Sequence, residues 1–301
     1  MQNPFNDSPL QQLHDKLFEE KGVEVFIKRD DLIHEHVQGN KWRKLKYNLY
    51  KARLNKQNTL LTFGGAYSNH IYATAAAAKL FHFKAIGIIR GEEPQIKSDT
   101  LLFAASQEME LYYMDREMYR QKDESANIES LRVQIGDFYY IPEGGTNVHA
   151  LEGVEEIVEE LSQPFDYVCT ACGTGGTLAG LVAGLRGDKK AIGFSSLKGD
   201  DTLTEKVNEL VKAYIGVEFT NFCINFDYHF AGYAKVKPDL IEFIKHFKNK
   251  FGIRLEPVYT GKMFYGLFDL IQKDYFPKGS RIVALHTGGL QGLSGYAEYF
   301  S

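Results

Sequence analysis

Cysteine is scarce. Cys169, Cys172 and Cys223 are the only three in 301 residues, too few for a disulfide framework in a chain this long. A reducing compartment fits that usage. Cys169 and Cys172 have C-x-x-C spacing, but no second pair completes a four-ligand zinc site. Cys169 falls in an apolar run, where burial is its ordinary fate. No metal is expected. Long apolar stretches are also missing, and nothing approaches the length of a membrane span. Residues 1–17 carry Asp, Pro and Gln where a leader needs an apolar run. By elimination the expectation is a cytoplasmic protein with no membrane partner. A large excess of charge is lacking as well. Lysine and arginine number 35 against 39 aspartates and glutamates, a formal net charge of −4. That balance excludes the basic footprint of a nucleic-acid binder.

What is present is ordinary for a globular chain: 44% hydrophobic and 25% charged residues. The length suits two domains or one large one. Short apolar runs alternate with helical spacing. Strands are expected at 60–63, 85–89, 111–114, 138–141, 166–170, 191–195 and 281–286. Helices are expected at 68–81, 98–107, 148–161, 178–185 and 239–251. Residues 196–230 carry no motif that the pattern interprets. Strand, turn and helix in repetition imply mostly parallel sheets with helices on both faces. Ligands in such folds sit at the carboxyl ends of the strands.

The loops at those ends carry the chemistry. Gly173-Thr174-Gly175-Gly176-Thr177 follows a strand and opens a helix. Glycines permit close approach, and the helix N-terminus favours a phosphate. The pattern is neither the dinucleotide fingerprint nor a P-loop, so a phosphate site and a plain tight turn stand about even on the anion-binding argument. A bulky side chain at Gly175 is expected to block that approach. Gly39-Asn40-Lys41 marks a turn, with a helix starting near Lys41. A lysine there has its pKa lowered by the helix dipole, which suits imine chemistry; a solvated basic helix is the plainer alternative. Gly64-Gly65-Ala66-Tyr67-Ser68-Asn69-His70 ends a strand and starts a helix. Ser68 is an N-cap or part of a carboxylate grip with Asn69 and His70. Pro257-Val258-Tyr259-Thr260-Gly261-Lys262 and His286-Thr287-Gly288-Gly289 each read as the end of a strand.

Together with Ile27-Lys28-Arg29-Asp30-Asp31-Leu32 and Ile141-Pro142-Glu143-Gly144-Gly145, these motifs run in order through nearly the whole chain. They resemble the family of 1-aminocyclopropane-1-carboxylate deaminase and D-cysteine desulfhydrase. The resemblance implies a tryptophan-synthase-β-like α/β fold of two domains. The smaller would span residues 44–143, and the larger would combine 1–43 with 144–301. It implies pyridoxal 5'-phosphate as cofactor, a small amino acid as substrate, and a homodimer. Lys41 would be the Schiff-base lysine and the base for the α-proton. Gly173, Thr174, Gly175, Gly176 and Thr177 would cradle the phosphate, with Lys44 an additional cation. Asn69 would meet the phenolic oxygen, while Ser68 and His70 would join it in holding the substrate. Tyr233 and Tyr259 would be the active-site tyrosines.

Two positions separate the branches. The deaminases place a glutamate after the tyrosine matched by Tyr259, and a leucine at the position of Thr287. Here these residues are Thr260 and Thr287, as in the desulfhydrases. A carboxylate would hold the pyridine nitrogen protonated and deepen the electron sink; a hydroxyl does not enforce that proton. The resemblance therefore implies β-elimination from a small D-amino acid such as D-cysteine. Cyclopropane deamination, racemisation or another reaction of the same cofactor is the alternative, and a cofactor-binding protein without turnover is the third reading.

Overall fold

A computed structural model describes residues 4–199 and 201–300. The apolar runs form two sheets. Six strands make the larger one: β1 (Leu10–Leu13), β2 (Glu24–Lys28), β7 (Tyr167–Cys172), β8 (Lys190–Ser195), β9 (Phe222–Asn225) and β10 (Arg281–Leu285), in the order β1-β2-β10-β7-β8-β9. Only β1 runs antiparallel to its neighbour in this sheet. The smaller sheet takes β3 (Thr59–Gly64), β4 (Lys84–Arg90), β5 (Met109–Met114) and β6 (Tyr139–Ile141), in the order β5-β4-β3-β6, all parallel. The central strands β3, β4, β7 and β8 are buried on both faces. Their sequences are accordingly continuous apolar runs rather than alternating ones. This is the two-sheet, mostly parallel α/β fold expected from the sequence.

Helices cover both sheets. In chain order they are α1 (Lys16–Lys21), α2 (Gly39–Leu54), α3 (Asn69–Leu80), α4 (Asp99–Ser106), α5 (Arg116–Arg120), α6 (Ser125–Ile135), α7 (Val148–Glu159), α8 (Gly176–Leu185), α9 (Leu203–Ile215), α10 (Pro238–Phe251), α11 (Thr260–Gln272) and α12 (Ala297–Phe300). The uninterpreted stretch 196–230 holds α9, whose Leu203, Val207 and Val211 lie on one buried face, and the strand β9. The motif 257–262 departs from expectation. No strand precedes it; Glu256 accepts the amide protons of Val258 (2.7 Å), Tyr259 (2.9 Å) and Thr260, and α11 begins there. A carboxylate on the amides of a helix start satisfies donors that have no partner within the helix.

Helix α2 begins at Gly39, two residues before the expected start. Gly39 has φ +56°, and a Cβ there would stand 2.0 Å from the Thr287 carbonyl oxygen. Only glycine lets the loop after β10 lie against the start of α2. On its other side α2 meets α7, where a Cβ on Gly153 would stand 2.0 Å from the Arg43 carbonyl oxygen. The Arg43 side chain then fastens α2 to the larger sheet. It donates to both oxygens of Asp30 at 3.1 Å and to Glu160 at 2.7 Å, and Lys28 shares Glu160 at 2.6 Å. A buried arginine held by buried Asp30 on one side and by Glu160 on the other keeps a helix in one register. Among the described residues no helix is long and apolar enough to cross a membrane.

Candidate active site

The strand ends of the two sheets face one cleft of about 760 Å³. From α2 come Asn40 and Lys41. The turn after β3 supplies Gly65 to Ser68, and α3 adds Asn69 and His70. The turn after β6 gives Glu143, Gly144 and Thr146, and the turn after β7 gives Gly173 and Thr174. Tyr233, Tyr259 and Thr287 complete the wall from the larger sheet's side. Residues far apart in sequence thus meet at strand carboxyl ends, where an α/β sheet presents ligands.

Lys41 is in the first turn of α2, its Nζ 3.5 Å from the Gly144 carbonyl oxygen. Burial pulls its pKa down to about 8, against a smaller upward pull from the Glu143 carboxylate. Such an amine keeps a substantial deprotonated fraction near neutral pH, far more than an ordinary lysine, and nucleophilic attack on a carbonyl requires that form. Lys44 lies beneath the cleft rather than in it. It is buried and donates to the Gly144 carbonyl (3.2 Å) and to Thr146 Oγ1 (3.0 Å). Burial, and then the adjacent Lys41, hold its pKa well below the ordinary lysine range. Its part is to brace the 144–146 turn against the glycine loop.

That loop closes β7 and opens α8 with Gly175 in the left-handed region, φ +83°. Gly173 faces the cleft, where a Cβ would stand 3.2 Å from the Tyr259 ring. Gly175, Gly176 and Thr177 lie behind the surface. Thr177 Oγ1 accepts from Asn40 Nδ2 at 2.8 Å, tying the loop to the helix of Lys41. A Cβ on Gly175 would meet Val207 and Leu203 of α9 at 3.0 and 3.2 Å. The expected obstruction of a ligand at Gly175 is therefore corrected: a side chain there presses into the core first.

Ser68 caps α3, accepting from the amides of His70 (3.2 Å) and Ile71 (3.3 Å). Its hydroxyl proton remains for a ligand, so cap and grip are compatible. Asn69 accepts from Gln291 Nε2 at 2.7 Å. A Cβ on Gly289 would stand 2.6 Å from Asn69 Nδ2, so the glycine clears room for that amide. His70 is buried and bonded to Thr62 Oγ1 at 2.8 Å. Thr62 spends its own proton on the Ile141 carbonyl, so Nε2 of His70 carries a hydrogen. Burial, Lys41 and Lys44 keep the ring neutral. Tyr233 and Tyr259 stand with ring centroids 6.0 Å apart. Burial raises both phenols above their ordinary pKa, so both are donors near neutral pH.

The two threonines part company. Thr287 lines the cleft. Its turn is set by His286, which donates from Nε2 to the Arg254 carbonyl (2.7 Å) and accepts the Gly288 amide at Nδ1 (3.2 Å). Thr260 is wholly buried and does not line the cleft. Its Oγ1 accepts the Glu256 amide at 3.0 Å and lies 3.1 Å from the Glu256 carboxylate. Glu256 is a carboxylate that sequence reasoning missed. Burial raises its pKa against the amides of Thr260, Val258 and Tyr259. Arg90, Lys122, Glu143 and Gln291 were missed as well. The only local signal for Arg90 is a charge closing the apolar run of β4.

The geometry fits pyridoxal phosphate: a desolvated lysine faces a glycine turn at a helix N-terminus across a cleft of suitable size. Comparison with known proteins agrees. The family of pyridoxal-phosphate dependent enzymes matches residues 2–288. A Pyrococcus furiosus protein named "Putative 1-aminocyclopropane-1-carboxylate deaminase" is 35% identical, over 92% of this chain and 88% of its own. The Arabidopsis thaliana protein named "Bifunctional D-cysteine desulfhydrase/1-aminocyclopropane-1-carboxylate deaminase, mitochondrial" is 33% identical, over 90% of this chain and 74% of its own. A solved structure described as an ACC deaminase homologue superposes with a TM-score of 0.84 at 31% identity, covering 98% of this chain and 94% of that one. The chain belongs to the family of pyridoxal-phosphate-dependent enzymes, in the group related to 1-aminocyclopropane-1-carboxylate deaminase and D-cysteine desulfhydrase.

Proposed function

We propose that the enzyme removes the α-proton of a small D-amino acid and expels its β-substituent, with D-cysteine the reference substrate. The observation that carries the reading is that threonines stand at both positions that separate the branches of the family, Thr287 on the cleft wall and Thr260 buried outside it. Pyridoxal phosphate, when bound, supplies the sink for the electrons of the bond broken at Cα. Lys41 would anchor it and afterwards take the α-proton, a task suited to an amine of pKa about 8. Gly173 to Thr177 would hold the phosphate. Ser68 and Asn69 at the start of α3 would hold the substrate carboxylate. The neutral phenols of Tyr233 and Tyr259 can give a proton to the departing group. The balance is D-cysteine and water to pyruvate, ammonia and hydrogen sulfide: the C–S pair leaves with sulfur, and Cα and Cβ become doubly bonded before hydrolysis.

Cyclopropane deamination is the second reading, and two observations favour it. The relatives carry deaminase names. Glu256 also sets a buried carboxylate against Thr260, so the hydroxyl is less isolated from negative charge than the sequence implies. The experiment is paired. The purified enzyme is given D-cysteine and, separately, 1-aminocyclopropane-1-carboxylate, and sulfide and 2-oxobutyrate are measured. Sulfide without 2-oxobutyrate supports elimination. The reverse result assigns deamination and leaves the cofactor site intact.

A further inference from the structure

The wall of the cleft on the smaller sheet's side carries a cation that nothing above uses. Arg90 is the last residue of β4, beside the strand that runs into the Gly64-Gly65 turn. Its side chain lines the cleft. Nη2 lies 3.9 Å from the place of a Cβ on Gly65, which sets the guanidinium beside that turn. The guanidinium carbon stands 6.0 Å from the centroid of the Tyr119 ring, within the range of a cation–π contact. Its charge reaches the phenol of Tyr233 across the cleft. The acidic groups of this wall belong to another cation: Lys122 Nζ is 3.2 Å from both Glu143 and Asp123. Among the described residues no carboxylate comes within ion-pair distance of Arg90.

We infer that Arg90 is a specificity-determining residue, and that the preferred substrate is an amino acid whose side chain bears a second anionic group: a carboxylate, sulfonate or phosphate ester. This rests on the reading of the cleft as an amino-acid site. With the α-carboxylate at Ser68 and Asn69, the side chain of a bound amino acid lies within reach of the adjacent Gly65 turn and of Arg90 above it. A planar guanidinium takes two oxygens of such a group at once. Arg90 is solvent-exposed, but an ordinary surface arginine would not line the cleft beside the Gly64-Gly65 turn with no described carboxylate at ion-pair distance.

The test is binding to the holoenzyme, followed by calorimetry and by the cofactor's absorbance. The D- and L-forms of aspartate and glutamate are compared with alanine, for wild type, Arg90→Gln and Arg90→Lys. The wild type should favour the acidic ligands. Arg90→Gln should lower the acidic-to-neutral affinity ratio by about tenfold or more, the scale of a charge-assisted hydrogen bond, and Arg90→Lys should keep part of it. A parallel measurement takes kcat/KM for O-phosphoserine over that for β-chloroalanine, and this ratio should fall likewise. Equal losses for acidic and neutral ligands would place Arg90 on the shared α-carboxylate and overturn the inference. So would a wild type without preference for, or without binding of, acidic ligands. Discriminating binding with no turnover of either β-substituted substrate would instead overturn the elimination reading and leave Arg90's role standing.

Discussion

The Glu143 carboxylate acts on the charge of Lys41. Burial lowers the lysine's pKa to about 8, and the carboxylate raises it against that trend. Removing the negative charge leaves only the lowering cause, so the Glu143→Gln variant should have a more acidic Lys41. The amine form reacts with the cofactor's carbonyl. The rate of cofactor attachment to apoenzyme should therefore climb with pH to a plateau, with a midpoint near pH 8 in the wild type and a lower one in the variant. Stopped-flow absorbance across the pH range reads this directly. A midpoint that rises or stays put would show that Glu143 does not act on Lys41. Neither the influence nor its sign is legible in the sequence, because Glu143 and Lys41 are about a hundred residues apart and only the turn after β6 brings them near each other.

At the scale of elements, the turn from β7 into α8 joins folding to binding. Gly175 combines φ +83° with side-chain atoms of Val207 and Leu203 at 3.0 and 3.2 Å from a would-be Cβ. A β-branched residue there faces both left-handed strain and overpacking. Gly175→Val should destabilise the apoenzyme by about 2 kcal/mol or more, read from denaturant unfolding, and should weaken cofactor binding as a consequence. An unchanged unfolding midpoint would contradict the packing described here. The central strands were legible because burial on both faces writes itself as a nearly continuous apolar run, as in Leu60, Leu61 and Phe63 around the buried Thr62. The 257–262 motif was misread for the same reason. Leu255 and Val258 look like strand residues, while the deciding contact is Glu256 capping α11. Strand β1, Leu-Gln-Gln-Leu at a sheet edge, has no apolar run to declare it. Tyr233 and Arg90 join the cleft through tertiary placement alone.

Over the whole molecule, the cleft lies between two sheets whose parallel strands end towards it, and α2 carries Lys41 between them. The rest of the scaffold holds that lysine still: Gly39 packs on the Thr287 turn, and Arg43 is fixed by Asp30 and Glu160. The most direct measurement of this account is chemical. The enzyme with its cofactor is reduced with borohydride, digested, and its peptides mapped by mass spectrometry, with Lys41→Ala alongside. The account predicts one modified peptide, carrying the reduced pyridoxyl group on Lys41, and neither yellow colour nor turnover in the Lys41→Ala enzyme. A label on Lys44, Lys122, Lys206 or Lys262 instead, or a Lys41→Ala enzyme that keeps its colour and activity, would contradict it.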